Sequence, residues 1–152
     1  ETADYDPMDS SISAPTIAQF NNYVRNTLNF GKGMTYKPQI DFATIVSEWD
    51  FKHKQPGAPF ALPFTPNVMP DLASAMKQNP GLNVLLMGGY FDLGTTFYSA
   101  EYEMHQLPIP DSLQKNISYK FFPSGHMVYL DPESHKGLHA AAAAFIDANY
   151  AK

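Results

Sequence analysis

Cysteine is missing altogether from the 152 residues. That removes disulfides, thiolate nucleophiles and Cys-ligated zinc or iron–sulfur centres from the chemistry open to the chain. Charge is scarce as well: 16% of residues are charged, where an average soluble domain carries about 25%. Ten Lys+Arg against fifteen Asp+Glu leave a net charge of −5, so neither a phosphate backbone nor anionic lipid finds an electrostatic footing. Nucleic acid and membrane are therefore not expected partners. The apolar run Val84-Leu85-Leu86-Met87 falls far below the ~20 residues that a membrane-crossing helix requires. No signal-peptide pattern is visible, and Glu1 opens a polar stretch unlike a translation start; the chain is expected to be a processed or truncated piece of a longer protein. What is present is a core-forming composition, 44% hydrophobic and 14% aromatic, which excludes disorder. Its length suits one packed unit that hides roughly 70% of the surface of the unfolded chain.

Polar residues from Glu1 to Ser13, with Asp6-Pro7 and Asp9-Ser10-Ser11, read as an irregular lead-in. Pro15 suits a helical first turn, and Ile17, Phe20, Val24 and Leu28 then recur at three- and four-residue steps, a helix closed by Gly31 and Gly33. From Lys37 to Pro70 the periodicity fails. Pro56, Pro59, Pro63, Pro66 and Pro70 each remove a backbone donor, so no long helix or central strand is expected there. Trp49, Phe51, Phe60 and Phe64 are too apolar for a free linker and predict a segment pinned across a larger body.

The second half is more regular. A short helix over 71–79, with Leu72, Ala75 and Met76 inward, is closed by Asn79-Pro80-Gly81. The run 84–87 follows, ends in Gly88-Gly89, and suits a strand buried on both faces. Thr95 or Thr96 can cap a helix to about Gln106 with Phe97, Ala100 and Met104 on one side. Ile117, Tyr119 and Phe121 alternate with Ser118, Lys120 and Phe122 in a second strand, and Leu138, Ala142, Phe145 and Asn149 mark a closing helix. Helix, strand, helix, strand, helix is the order of βαβ units on a parallel sheet. Two strands alone do not make a stable doubly wound sheet, so the expected fold class is α/β with an incomplete parallel sheet and flanking helices. The expected division is a cap-like helix and Pro-rich segment over 1–70 and a βαβα part over 71–152.

In open α/β sheets, ligands and chemistry gather at the carboxyl ends of strands. Each expected strand here is followed by a Gly-containing loop bearing one titratable group: Gly88-Gly89-Tyr90-Phe91-Asp92-Leu93 after the first and Phe122-Pro123-Ser124-Gly125-His126-Met127 after the second. If the strands are parallel neighbours, both loops open on one edge and Asp92 approaches His126. A carboxylate bonded to one imidazole nitrogen stabilises the imidazolium and frees the other nitrogen as general base, two thirds of a nucleophilic triad. The α/β-hydrolase order is nucleophile, acid, His, and the order here is acid then His. No serine of the chain stands in a G-x-S-x-G elbow.

These residues resemble the serine carboxypeptidases and their bacterial relatives. The acid of that family sits in Gly-x-x-Asp-Leu, matched by Gly89-Tyr90-Phe91-Asp92-Leu93, and its base in Gly-His-Met, matched by Gly125-His126-Met127. The likeness runs through nearly the whole chain, including Tyr23 to Leu28, Trp49-Asp50, the helix over 71–79 and the closing helix, with Phe91 to Tyr98 and Ser124 to Leu130 its most specific parts. The resemblance implies the C-terminal part of an α/β-hydrolase fold, in a secreted or periplasmic serine-type peptidase acting on peptide substrates without a cofactor. Asp92 would be the triad acid and His126 the base; Met127 would line the pocket for the substrate's C-terminal residue. The family's Glu-Ser-Tyr-Gly nucleophile stretch and its carboxylate-binding groups are missing from these residues, and Tyr129 stands where many members have proline. The partner so implied is the missing N-terminal portion of the same protein, and the isolated chain is expected to be inactive and to self-associate.

Other features are bland beside these. Tyr90, Phe91, Phe97 and Tyr98 are candidates to line an apolar substrate pocket, with packing as the competing reading. His135 and His139 are spaced i, i+4, yet the Glu of H-E-x-x-H is absent and Gly137 intervenes, so no metal site is expected. His53 and His105 read as exposed, and Asn116-Ile117-Ser118 fits a glycosylation sequon. A non-catalytic binding or scaffold module, and an esterase or acyltransferase of the same fold, are the alternatives to a peptidase.

Overall fold

The computed structural model describes residues 9–34, 42–63 and 66–150. Most of the polar lead-in, the start of the irregular stretch near Lys37, and Phe64 lie outside the described residues. The chain divides into two compact units, Glu1–Asp50 and Phe51–Lys152. In the first, helix α1 (Ala14–Asn22) is flanked by π-helical turns at Asp9–Ser13 and Tyr23–Thr27, and helix α2 spans Phe42–Glu48. The lead-in is thus already wound from Asp9. A π-turn closes its hydrogen bonds at i→i+5 rather than i→i+4, so the stripe expected from Ile17 to Leu28 loses its common face; Phe20 and Leu28 are exposed. Asn29 (φ +54°) and Gly31 (φ +65°) then turn the chain through the left-handed region and end the helical run.

The second unit begins at Phe51, earlier than the boundary expected at residue 70, and the contacts of His53 account for this. Its backbone exchanges two hydrogen bonds with Leu62, donating to the Leu62 carbonyl at 3.1 Å and accepting from the Leu62 N–H at 2.9 Å. Its ring Nε2 lies 2.7 Å from Asp71 Oδ2 in the first turn of helix α3 (Met69–Gln78). His53 is accordingly half-buried rather than exposed. Trp49, Phe51 and Phe60, expected to be pinned down, are exposed.

Strand β1 (Val84–Gly89) and strand β2 (Ile117–Phe122) form a two-stranded parallel sheet, Val84 opposite Ile117 and Gly89 opposite Phe122. The crossover runs through helix α4 (Phe97–His105) and the short helix α5 (Asp111–Gln114), the latter a turn that sequence periodicity does not announce. Asn116 ties the two strand entrances together: its side-chain amide donates to the carbonyls of Pro80 at 2.8 Å and Leu82 at 3.2 Å. The sequon asparagine therefore has a structural bond to make. Helix α6 (Pro132–Tyr150) closes the unit; it starts with Pro132 in its first turn, and Asp131 accepts the Ser134 N–H at 2.7 Å. Proline brings no N–H to a turn whose amides lack helical partners, and the Asp131 carboxylate satisfies one of those that remain.

The core sits at the amino end of the sheet. Ala73, Met76, Leu107, Leu113 and Ile117 are buried together, with Leu72, Val84 and Met104 packed against them. Helix α3 therefore turns Ala73 and Met76 inward, while Leu72 and Ala75 are only half-buried. The run at β1 suits burial on both faces, but Val84 to Gly88 are half-buried, because among the described residues each strand has a single neighbour. β2 alternates as expected except at Phe122, which is buried. A Cβ on Gly137 of α6 would press on the Phe122 ring, so a glycine that weakens the helix also makes room for that ring. The chain is thus mixed α/β, with six α-helices and one two-stranded parallel sheet among the described residues.

Candidate functional site

The flush ends of β1 and β2 release both loops on the same edge of the sheet. Backbone bonds then hold the loops together: Tyr90 N–H donates to the Phe122 carbonyl at 2.9 Å and Phe91 N–H to the Ser124 carbonyl at 3.0 Å. Their approach is close enough to exclude a side chain. A Cβ on Gly89 would run into the carbonyl oxygens of Ser124 and Gly125, which makes glycine necessary at this point.

This clasp delivers Asp92 and His126 to each other. Asp92 Oδ2 lies 2.8 Å from His126 Nδ1, so the two residues thirty-four positions apart meet as the parallel arrangement requires. All four Asp92 contacts are charge-assisted. Oδ1 accepts the N–H groups of Gly94 and Thr95, each at 2.9 Å, and Oδ2 accepts the Thr95 hydroxyl at 2.6 Å besides the imidazole. The Asp92 side chain is only 7% exposed. The Thr95 hydroxyl, the Thr95 N–H, the imidazole and the Gly94 N–H hold its carboxyl well below the usual carboxylate range, against the opposing effect of burial. As the carboxylate can only accept, Nδ1 carries the proton. His126 stands at the opposite extreme, 72% exposed, and among the described residues its ring hydrogen bonds are both at Nδ1.

A cavity of about 450 Å³ opens beside the pair. Asp92, Thr95 and His126 form its polar side, and Leu86, Met87, Phe97, Phe121, Val128, Tyr129 and Leu138 line the rest. Neither Met127 nor Tyr90 is among the lining residues. Met127 is half-buried, and Tyr90 packs its ring on Phe97 and Phe121 at centroid distances of 5.1 and 5.7 Å. Of the aromatic candidates, Phe97 alone faces the cavity; Phe91 and Tyr98 are exposed. His135 and His139 flank a shallow cleft together with Lys136. Among the described residues no three His, Asp or Glu side chains gather as a metal centre would need, and no helix is long and apolar enough to cross a membrane.

Three residues of the site escape a reading of motifs alone. Thr95 registers in the sequence as a helix cap, yet Thr96 occupies the cap position and its hydroxyl pairs with Ser99 at 2.8 Å, leaving Thr95 for Asp92. The signal that could have found it is local: an Asp whose carboxylate accepts amides two and three residues onward is an Asx turn. Gly89 and Tyr129 enter the sequence reading only as parts of the family motifs; the close approach at Gly89 and the place of Tyr129 on the cavity wall emerge from the structure. Comparison of the chain with family models, with curated proteins and with solved structures finds no match.

Proposed function

We propose that this chain supplies the acid and base of a Ser-Asp-His triad for peptide-bond hydrolysis, as the C-terminal part of a serine carboxypeptidase-like α/β-hydrolase whose nucleophilic serine lies on a different segment. The observation that carries this reading is the asymmetry of the pair: Asp92 is buried and fully bonded, while the imidazole it holds is presented to solvent. The exposed ring leaves Nε2 open to a hydroxyl brought against it. In the proposed reaction a serine hydroxyl gives its proton to His126 Nε2 as its oxygen attacks the peptide carbonyl. Asp92 stabilises the resulting imidazolium, which returns the proton to the departing amine. Water then repeats the cycle on the acyl-enzyme. A role for Met127 at the substrate's C-terminal residue rests on the family resemblance and one for Tyr90 on its place in the aromatic cluster, as neither lines the cavity.

The test compares two chains on an N-blocked dipeptide. The isolated 152 residues should show no turnover, because the base has no hydroxyl to activate. A longer chain from the same reading frame, with a G-x-S-x-G upstream of Glu1, should hydrolyse the substrate and lose about 10³-fold or more in kcat on His126→Ala. Turnover by the isolated chain that disappears in His126→Ala, or a frame without such a serine, would overturn the proposal. Hydrolysis of esters but not of the dipeptide would move the reading to an esterase or acyltransferase of the same fold.

A further inference from the structure

We infer that Thr95 is a positioning residue: its hydroxyl orients the Asp92 carboxylate and holds the proton of His126 on Nδ1, leaving Nε2 free to act as base. The inference deepens the reading just given and rests on it. Its ground is a triangle of three atoms. Thr95 Oγ1 lies 2.6 Å from Asp92 Oδ2 and 3.3 Å from His126 Nδ1, and Oδ2 lies 2.8 Å from Nδ1.

Only one assignment of protons satisfies all three sides. The carboxylate has no proton to give, so the Thr95 hydroxyl donates to Oδ2. Its lone pairs are then the part of it that can face the ring, and the Nδ1–H finds a main acceptor in Oδ2 and a weaker second one in Oγ1. With the proton on Nε2 instead, the bare Nδ1 lone pair would face a carboxylate oxygen and the hydrogen bond would be lost. Thr95 also fixes which oxygen does this. Its backbone N–H and that of Gly94 take Oδ1 at 2.9 Å each, and its hydroxyl takes Oδ2 from the other side. One residue therefore grips both oxygens and sets the rotation of the carboxyl plane. Because His126 is 72% exposed, little packing is available to orient the ring, and this hydrogen-bond geometry takes over that task.

The test reads the tautomer and does not depend on hydrolysis. In the 15N-labelled chain at a pH where His126 is neutral, ring nitrogen shifts and couplings give the ratio of Nδ1–H to Nε2–H forms. Wild type should be dominated by Nδ1–H. Thr95→Val keeps the shape and the backbone N–H; the ratio should fall about fivefold, the weight of one net hydrogen bond. Thr95→Ser, which restores the hydroxyl, should bring it back. An unchanged or increased ratio in Thr95→Val, with the fold intact by circular dichroism, would overturn the inference, as would failure of Thr95→Ser to recover it. Should Thr95→Val not fold, Thr95→Ser decides against Thr95→Ala by the same measurement. A tautomer that responds in this way while the longer chain hydrolyses nothing would leave Thr95 in place and defeat the peptidase reading alone.

Discussion

At the amino end of the sheet Met76 and Ala73 are sealed against Ile117 and Leu113, whereas at the carboxyl end Tyr90, Phe91 and Leu93 stand in solvent around a buried carboxylate. The same two strands serve both ends. At one, apolar side chains do the holding, and stability follows from area removed from water. At the other, the work falls to backbone hydrogen bonds, a glycine contact and four bonds to one carboxylate, which fix geometry more than they add net stability. The contrast matches a division of labour in which one end keeps the strands parallel and in register and the other uses that register to bring Asp92 to His126.

The comparison is broken most severely from its packed end. Met76 has no exposed surface, and Met76→Ala should cost about 3 kcal/mol, the usual scale for emptying a buried site. Urea unfolding of the chain measures this, and a cost under about 1 kcal/mol would mean that the core is not where the stability lies. Next comes Gly89→Ala, which forces a methyl group against two carbonyl oxygens. It should cost about 2 kcal/mol and, unlike Met76→Ala, should separate Asp92 from His126 in the part of the population still folded. The Nδ1–H proton resonance reads that separation.

Acid should weaken the carboxyl end selectively. The Asp92 carboxyl is held below its ordinary range in the folded chain, chiefly by the Thr95 hydroxyl. As pH falls below about 4, the unfolded chain takes up this proton first, so stability falls through that window. The contribution is fully present at neutral pH. The stability gap between wild type and Asp92→Asn should therefore shrink between pH 7 and pH 2.5, whereas the effect of Met76→Ala should not depend on this group. The smallest effect is expected at His53. Its pair with Asp71 is partly exposed, so His53→Ala should cost no more than about 1 kcal/mol while releasing residues 51–63 to proteolysis.

How much of this was legible from sequence follows the same divide. Local features were readable: the apolar run at β1, the alternation in β2, and the two strand-end loops carrying Asp92 and His126, because strand period and loop chemistry are written in adjacent residues. Features requiring two distant segments were not. The burial of Phe122 is intelligible only beside Gly137, the half-buried anchor of His53 only through Asp71, and the need for glycine at position 89 only from the Ser124 and Gly125 carbonyls. The incomplete burial of β1 was hidden for another reason: Val84 to Met87 read as a strand covered on both faces, while among the described residues β2 is its only neighbour. Thr95 and Thr96 are equal candidates for the helix cap in the sequence; Thr96 takes it, and only geometry shows that Thr95 turns to Asp92 instead.

The central claim, that Asp92 and His126 activate a serine carried outside these residues, is tested most directly by labelling with a fluorophosphonate, which reacts only with an activated serine. The 152-residue chain should remain unlabelled. The longer chain should take up one adduct, mapped by mass spectrometry to a serine upstream of Glu1 and abolished by His126→Ala. An adduct on a serine within residues 1–152, or upstream labelling that His126→Ala leaves unchanged, would contradict the account.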